Sequence, residues 1–275
     1  LEIYSDFSSI FAALSLATNR LGFYLRSSTF RLGIYTHHMY FNTRVPVSDV
    51  YLQFASMFSR QQEEESLYSF PLLKKTNTLF PTNYIVINPN ASDLRLERRW
   101  GITNFISLIN YLLESMPTHD ILIVGSKNEI AYCAELCETI ANDRVRNTAG
   151  EFTISDLITC IQNATCMISN DTGPMHIALS VKTPVICLFG PCSPEQYKFP
   201  ENAHVLYKRV YCSPCVHDFD LAPCKGNNIC MQQIVVMEVI KAFDRLMHNI
   251  PPIKTTDEIM YYNEKENTTI GLVNR

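Results

Sequence analysis

Glycine occurs only nine times in these 275 residues, few for an intact two-domain α/β chain in which tight strand-to-helix turns recur. The sequence also opens at Leu1, inside what already reads as structured sequence, and an N-terminal truncation is expected. No stretch approaches the roughly 18 to 20 consecutive apolar residues needed to span a bilayer. The opening LEIYSDFSSIFAALSLATNR has acidic residues and no basic leading segment, which excludes a secretory signal. Positive charge is not in excess: 23 Lys and Arg against 27 Asp and Glu give a formal charge of -4. An electrostatic nucleic-acid binder is therefore not expected. No G-x-G-x-x-G follows a predicted strand, which excludes a nicotinamide dehydrogenase. With 47% hydrophobic and 18% charged residues, disorder, collagen and simple repeats are excluded as well. What remains is a well-cored, soluble chain long enough for about two domains.

Apolar periodicity organises it. Asp6 to Ala17 reads as a helix with Asp6 as a possible N-cap, Arg20 to Leu25 as a strand, and Val47 to Phe58 as a second helical pattern. A polar stretch closed by Pro81 places a domain boundary near residues 72–82, so residues 1–80 form a first α/β domain. Beyond it, strands and helices alternate regularly: strands over Tyr84–Asn88, Asp120–Gly125, Cys166–Ser169 and Pro184–Phe189 are separated by helical segments. The last long helix is expected over Gln232 to His248 and ends a second domain at residues 81–250. Residues 251–275 read as a polar tail. The alternation predicts an α/β fold with a parallel sheet covered by helices. In such sheets ligands lie outside the carboxyl ends of the strands, so the loops after those strands are where chemistry is sought.

Three of these loops are chemically unusual. In Ile168-Ser-Asn-Asp-Thr-Gly-Pro-Met-His-Ile-Ala-Leu179 a strand ends and a helix begins. Pro174 suits the first helical turn, Asp171 or Thr172 can cap it, and Gly173 allows close approach to the helix N-H groups, which together make an anion site. His176 in the first turn can donate to the same anion; the plainer reading is a capped helix with a satisfied histidine. The loop from Asn88 to Trp100 carries Arg95, Arg98 and Arg99, whose planar forks match phosphate oxygens, and Ser92 as a short donor. Alone, such a loop is more often a solvated surface. In Val124-Gly-Ser-Lys-Asn-Glu129, Glu129 can accept from ribose hydroxyls or simply favour the start of a helix.

Taken in order, NPNAS and RRW, then VGS with Glu129, then ISNDTGPMHIAL and TPVICLFGP closely resemble the heptosyltransferase-like glycosyltransferases of family 9. The resemblance covers residues 84–247 and more loosely residues 1–70. It implies a GT-B fold: two Rossmann-like α/β domains, the N-terminal one partial here, with the sugar nucleotide held mainly by the C-terminal one. Position by position, Asp171, Thr172, Gly173 and His176 match the loop around the donor diphosphate and sugar. Arg98 stands where a basic phosphate-binding residue is usual, and Glu129 matches the acidic residue that holds the nucleoside. Trp100-Gly101 departs from the usual Trp-Pro. The implied reaction is an inverting, metal-independent transfer of a heptose or related sugar, with ADP-heptose the expected donor and a lipid-linked, lipopolysaccharide-type saccharide the acceptor. No cofactor is implied. The catalytic base of the family is expected upstream of Leu1. Location is expected in the cytoplasm, with transient association at the inner face of the inner membrane. The competing reading is a non-catalytic nucleotide-sugar-binding remnant or paralogue.

Ten cysteines without a signal suggest reduced thiols. Cys133, Cys137, Cys160, Cys166 and Cys187 sit in apolar segments and read as core. Cys212, Cys215, Cys224 and Cys230, with His217 nearby, have one pair at zinc-knuckle spacing and one looser pair. Plain thiols are the simplest reading; a zinc site and a disulfide are the alternatives. An interaction module built on these cysteines leaves the DTGPMH loop unexplained.

Overall fold

In a computed structural model of the chain, the described residues are 6–24, 29–42, 44–56, 80–93, 95–216, 222, 224, 227–252, 259–263 and 268–272. The chain divides into two units, Leu1–Leu67 with Glu195–Lys198, and Tyr68–Pro194 with Phe199–Arg275. The boundary expected near residues 72–82 falls mostly outside the described residues, as do Phe58 and His217.

The first unit contains α1 (Asp6–Leu14), β1 (Leu21–Tyr24), β2 (His37–Tyr40) and α2 (Val47–Ser56), with β1 and β2 paired in parallel. Its core is small: Phe23, Phe41, Val50 and Phe54 are buried together, with the Phe23 ring edge-on to Phe41 and tilted against Phe54. Gly22 is needed here, because a Cβ at that position would run into the Tyr35 ring. The Tyr35 hydroxyl in turn hydrogen-bonds Ser9 of α1 at 3.2 Å.

The second unit is a six-stranded parallel sheet of β3 (Tyr84–Asn88), β4 (Asp120–Ile123), β5 (Val145–Asn147), β6 (Cys166–Asn170), β7 (Val185–Phe189) and β8 (Ala203–Tyr207), in the order β5-β4-β3-β6-β7-β8. Every residue of β3, β6 and β7 is buried, the continuous apolar run of strands covered on both faces. The order reverses between β3 and β6, so the loops leaving these two neighbours open a crevice at the switch point of a doubly wound sheet.

The helices pack by pattern. In α3 (Ile102–Ser115), Phe105, Leu108, Ile109, Leu112 and Leu113 are buried, a stripe spaced for one helical face. Arg144 donates to the carbonyls of Leu113 and Met116 at 2.7 and 3.0 Å, satisfying acceptors that the end of α3 leaves open. After α4 (Ile130–Ile140), α5 (Ile154–Asn163) starts with a reciprocal cap, in which Asp156 N-H donates to Thr153 Oγ1 and Thr153 N-H to Asp156 Oδ2. α6 (Gly173–Ser180) follows β6 directly.

Six elements differ from expectation. β5 is a three-residue edge strand whose central Arg146 is exposed, too short and polar for a hydrophobic pattern. β8, Ala203–Tyr207, carries the buried polar His204, which interrupts its apolar run. The helix expected over Gln232 to His248 starts later, as α8 (Val236–Met247), and is preceded by a separate short helix, α7 (Ile229–Gln232). The break occurs where Trp100 Nε1 captures the Ile234 carbonyl and Glu238 accepts from Val235 N-H. Past Pro251, Ile259–Asn263 and Thr268–Leu272 pair as antiparallel strands β9 and β10, where the sequence suggests only a polar tail; IMYYN and TTIGL are in fact rich in strand-forming residues. Among the described residues no helix is long and apolar enough to cross a membrane.

Candidate functional site

Two strands that end in asparagine meet at the switch point. Asn88 closes β3 and Asn170 closes β6, and the two ends are adjacent in the register. Asn170 Nδ2 donates to the carbonyls of Pro89 and Asn90 at 3.0 and 3.1 Å, while its Oδ1 accepts from Trp100 N-H at 3.2 Å. The arginine loop is thereby stapled at both ends to the start of the DTGPMH loop. Trp100, fully buried and edge-on to Phe105 at 5.0 Å, fixes the far end, and Asn228 Nδ2 holds the carbonyls of Glu97 and Arg99 on either side of Arg98. Gly125 lets the third loop join them, because a Cβ there would lie 2.7 Å from Asn90 Nδ2 and 3.2 Å from Cys133 Sγ.

Asp171 is the centre of the group. It is 2% exposed, locked between β6 and β7 by its N-H to the Leu188 carbonyl. Neither carboxylate oxygen completes a hydrogen bond. Arg98 Nη1 lies 3.8 Å from one oxygen and His176 Nε2 lies 3.8 Å from the other. The Arg98 guanidinium also donates to the Asp171 main-chain carbonyl at 3.3 Å. Burial pushes the His176 pKa below its ordinary value; Asp171 opposes this and Arg98 adds to it. Burial thus favours the neutral imidazole in the free protein, and a further anion would draw a proton onto it. The Cys192 thiol beside Asp171 is pushed up by burial and by that carboxylate, so it is a neutral neighbour. The result is a buried negative charge with two basic groups held just beyond hydrogen-bond distance. It suits a ligand that brings both anionic oxygens and hydroxyl groups.

Thr172 is the N-cap residue of α6 and makes no side-chain cap. Beside it Gly173 faces open space, since a Cβ there would meet nothing within 4 Å. Pro174 stands in the first turn, where its missing N-H costs no helical bond.

The other residues singled out in the sequence lie apart from this group. Ser92 is exposed on the arginine loop, its carbonyl holding Arg95 N-H at 2.9 Å. Arg99 stacks over the Tyr132 ring at 4.2 Å and reaches the Ala91 carbonyl, so it braces its own loop. One Glu129 oxygen accepts from Ser126 N-H at 2.7 Å in a capping box, which leaves the other for a ligand; no contact ties Glu129 to Asp171. Cys212, Cys215, Cys224 and Cys230 come within electrostatic reach of one another, and burial together with the neighbouring sulfurs raises Cys215 to about 11 and Cys230 to about 12. All ten cysteines are free thiols, and among the described residues no group of three or more His, Cys, Asp or Glu side chains is arranged to hold a metal ion. A separate cavity of about 700 Å³ opens at the opposite, amino-terminal ends of β7 and β8, between Pro184, Phe199, His204, Leu246 and Pro251.

The residues to which motif reading gives no role are the buried amides Asn88, Asn90 and Asn170, each 2% exposed or less. A signal existed: two apolar strands, YIVIN and CMISN, both end in Asn at neighbouring positions of the sheet.

The sequence model for glycosyltransferase family 9 (heptosyltransferase) matches residues 34–225. The chain belongs to glycosyltransferase family 9. It is 31% identical over 171 residues to lipooligosaccharide heptosyltransferase 2 of Campylobacter jejuni, a match covering 59% of this chain and 50% of that protein. The chain thus spans about half the length of the curated relatives it matches. Among solved structures, the Escherichia coli ADP-heptose lipopolysaccharide heptosyltransferase II superposes with a TM-score of 0.59 at 17% identity, covering 89% of this family 9 chain and 74% of that one. E. coli heptosyltransferase WaaC with ADP-2-deoxy-2-fluoro heptose superposes with a TM-score of 0.55 at 17% identity, covering 82% and 65%. The fold is the α/β, GT-B fold of these enzymes.

Proposed function

We propose that this family 9 chain holds the donor of a heptosyl transfer, a nucleoside diphosphate sugar of which ADP-heptose is the best match, and that the sugar passes to a lipopolysaccharide core-type acceptor. The observation that carries the reading is the Asp171, Arg98 and His176 group at the uncapped start of α6, on the switch point of the sheet. The E. coli enzyme of the same fold bound to an ADP-heptose analogue supports the choice of donor. In the reaction the acceptor oxygen forms a bond to the anomeric carbon as the bond to the diphosphate breaks, with inversion. The electron pair leaves with the diphosphate, where Arg98, the start of α6, Thr172 and a protonated His176 offset the charge that develops. That set of donors stabilises the leaving group without a metal ion. Asp171 accepts hydroxyl groups of the bound sugar, and the free oxygen of Glu129 serves the ribose. We assign no residue of this chain as the base that takes the acceptor proton.

Calorimetric titration with ADP, GDP and UDP tests the reading. Preferential binding of ADP is expected. A folded chain that binds none of the three would show that the group at α6 is not a donor site.

A further inference from the structure

Thr172 has the extended backbone of an N-cap residue, with φ -152° and ψ 173°, yet its side chain caps no helix N-H. A threonine in this place ordinarily turns its oxygen onto the first turn of the helix. Here Oγ1 instead accepts from Asn88 Nδ2 at 2.6 Å. The second amide hydrogen of Asn88 goes to Ser169 Oγ at 3.0 Å. The direction of this amide follows from its neighbours. Ser169 spends its own proton on the Asn170 carbonyl at 2.7 Å, so its oxygen is available only to a donor. Asn90 Nδ2, held by the Val124 carbonyl at 2.8 Å, points a hydrogen at Asn88 Oδ1 at 3.4 Å. Asn88 therefore presents its NH2, and not its oxygen, to both hydroxyls.

The consequence falls on Thr172. Because Oγ1 is occupied as an acceptor, its hydrogen must find another oxygen. It reaches the Asn170 carbonyl at 3.4 Å, longer than the roughly 2.5 to 3.0 Å of a good O-H···O bond. The space in front of Gly173 is open. We propose that Asn88 is a positioning residue, which draws the Thr172 hydroxyl off the helix end and fixes it as a hydrogen-bond donor to a phosphate oxygen seated at the start of α6. This inference rests on the reading of that site as a diphosphate site. The ordering is done before the ligand arrives, by a buried amide whose every polar group is committed, so the hydroxyl meets an anion without reorganising.

The test is a double-mutant cycle on the full chain, reading Kd for ADP and for adenosine by calorimetry. Asn88→Ala and Thr172→Val are each expected to weaken ADP about tenfold and to leave adenosine unchanged. The pair together should lose no more than either alone, because Asn88 acts through Thr172. If Asn88→Ala fails a thermal-melt check, Asn88→Ser, too short to reach Oγ1, takes its place in the cycle. Additive losses, or equal weakening of ADP and adenosine, would overturn the role of Asn88 while leaving the donor site intact. A folded wild-type chain that binds neither ADP nor inorganic pyrophosphate overturns the donor site and the inference together.

Discussion

Trp100 and Ile234 are joined by a hydrogen bond from the indole Nε1 to the main-chain carbonyl at 2.7 Å. Both residues are fully buried, and the bond ties the end of the arginine loop to the gap between α7 and α8. It gives the Ile234 carbonyl a side-chain donor at the point where neither α7 nor α8 continues. The same bond sets the end of the segment on which Arg98 stands.

Trp100→Phe is accordingly expected to destabilise the chain by about 1 to 3 kcal/mol, the cost of leaving the buried Ile234 carbonyl without a donor. Urea unfolding checks it, with a lower midpoint at unchanged slope. An unchanged midpoint would mean that the Ile234 carbonyl does not depend on the indole.

Arg98 is held by its contacts with Asp171 and by the Asn228 clamp on its neighbours. Arg98→Ala should weaken ADP about tenfold or more, roughly 1.4 kcal/mol for one charge-assisted contact. Arg98→Lys should fall between, since it keeps the charge but loses the planar fork. Equal affinity in all three proteins would remove Arg98 from the site.

The pH dependence of binding follows from His176, whose pKa is lowered by burial in the free protein. A bound diphosphate raises it, so binding takes up a proton. Affinity should be greatest below the free-state pKa and fall as pH rises through the bound-state pKa. The nucleotide's own second phosphate ionisation lies near pH 6, so the decisive comparison is His176→Ala, in which the histidine part of the slope is lost. Identical slopes in the two proteins would mean that His176 does not face the phosphates.

Gly125→Ala is expected to cost about 1 to 3 kcal/mol through overpacking, because the new methyl would press on Asn90 Nδ2 at 2.7 Å and on Cys133 Sγ. Thermal unfolding reads it. A neutral result would show that the third loop can withdraw from the first without loss.

The central strands were legible because parallel strands buried on both faces are uninterrupted apolar runs, as in YIVIN and VICLF. The family was legible because DTGPMH and its companions are specific. The edges were not: β5 is three residues long with an exposed arginine, and β8 contains His204. Nor does sequence say which polar residues of a loop converge. By residue type Arg95, Arg98 and Arg99 are alike, and it was the family resemblance that marked out Arg98; the structure sends Arg99 to Tyr132 and Arg98 to Asp171. Glu129 shows the same ambiguity from another side, since one of its oxygens closes a capping box. The amides Asn88, Asn90 and Asn170 stand inside the motifs NPNAS and ISNDTGPMHIAL, but no role could be read for them, because it lies in the direction of hydrogen bonds between segments about 80 residues apart.

The position of the diphosphate is most directly read by diffraction from crystals of the chain grown with ADP. Phosphate oxygens are predicted within hydrogen-bond distance of Thr172 Oγ1 and the Arg98 guanidinium, with His176 Nε2 turned toward them. A nucleotide bound elsewhere, such as in the cavity at the opposite end of β7 and β8, would contradict the assignment of the α6 group as the donor site.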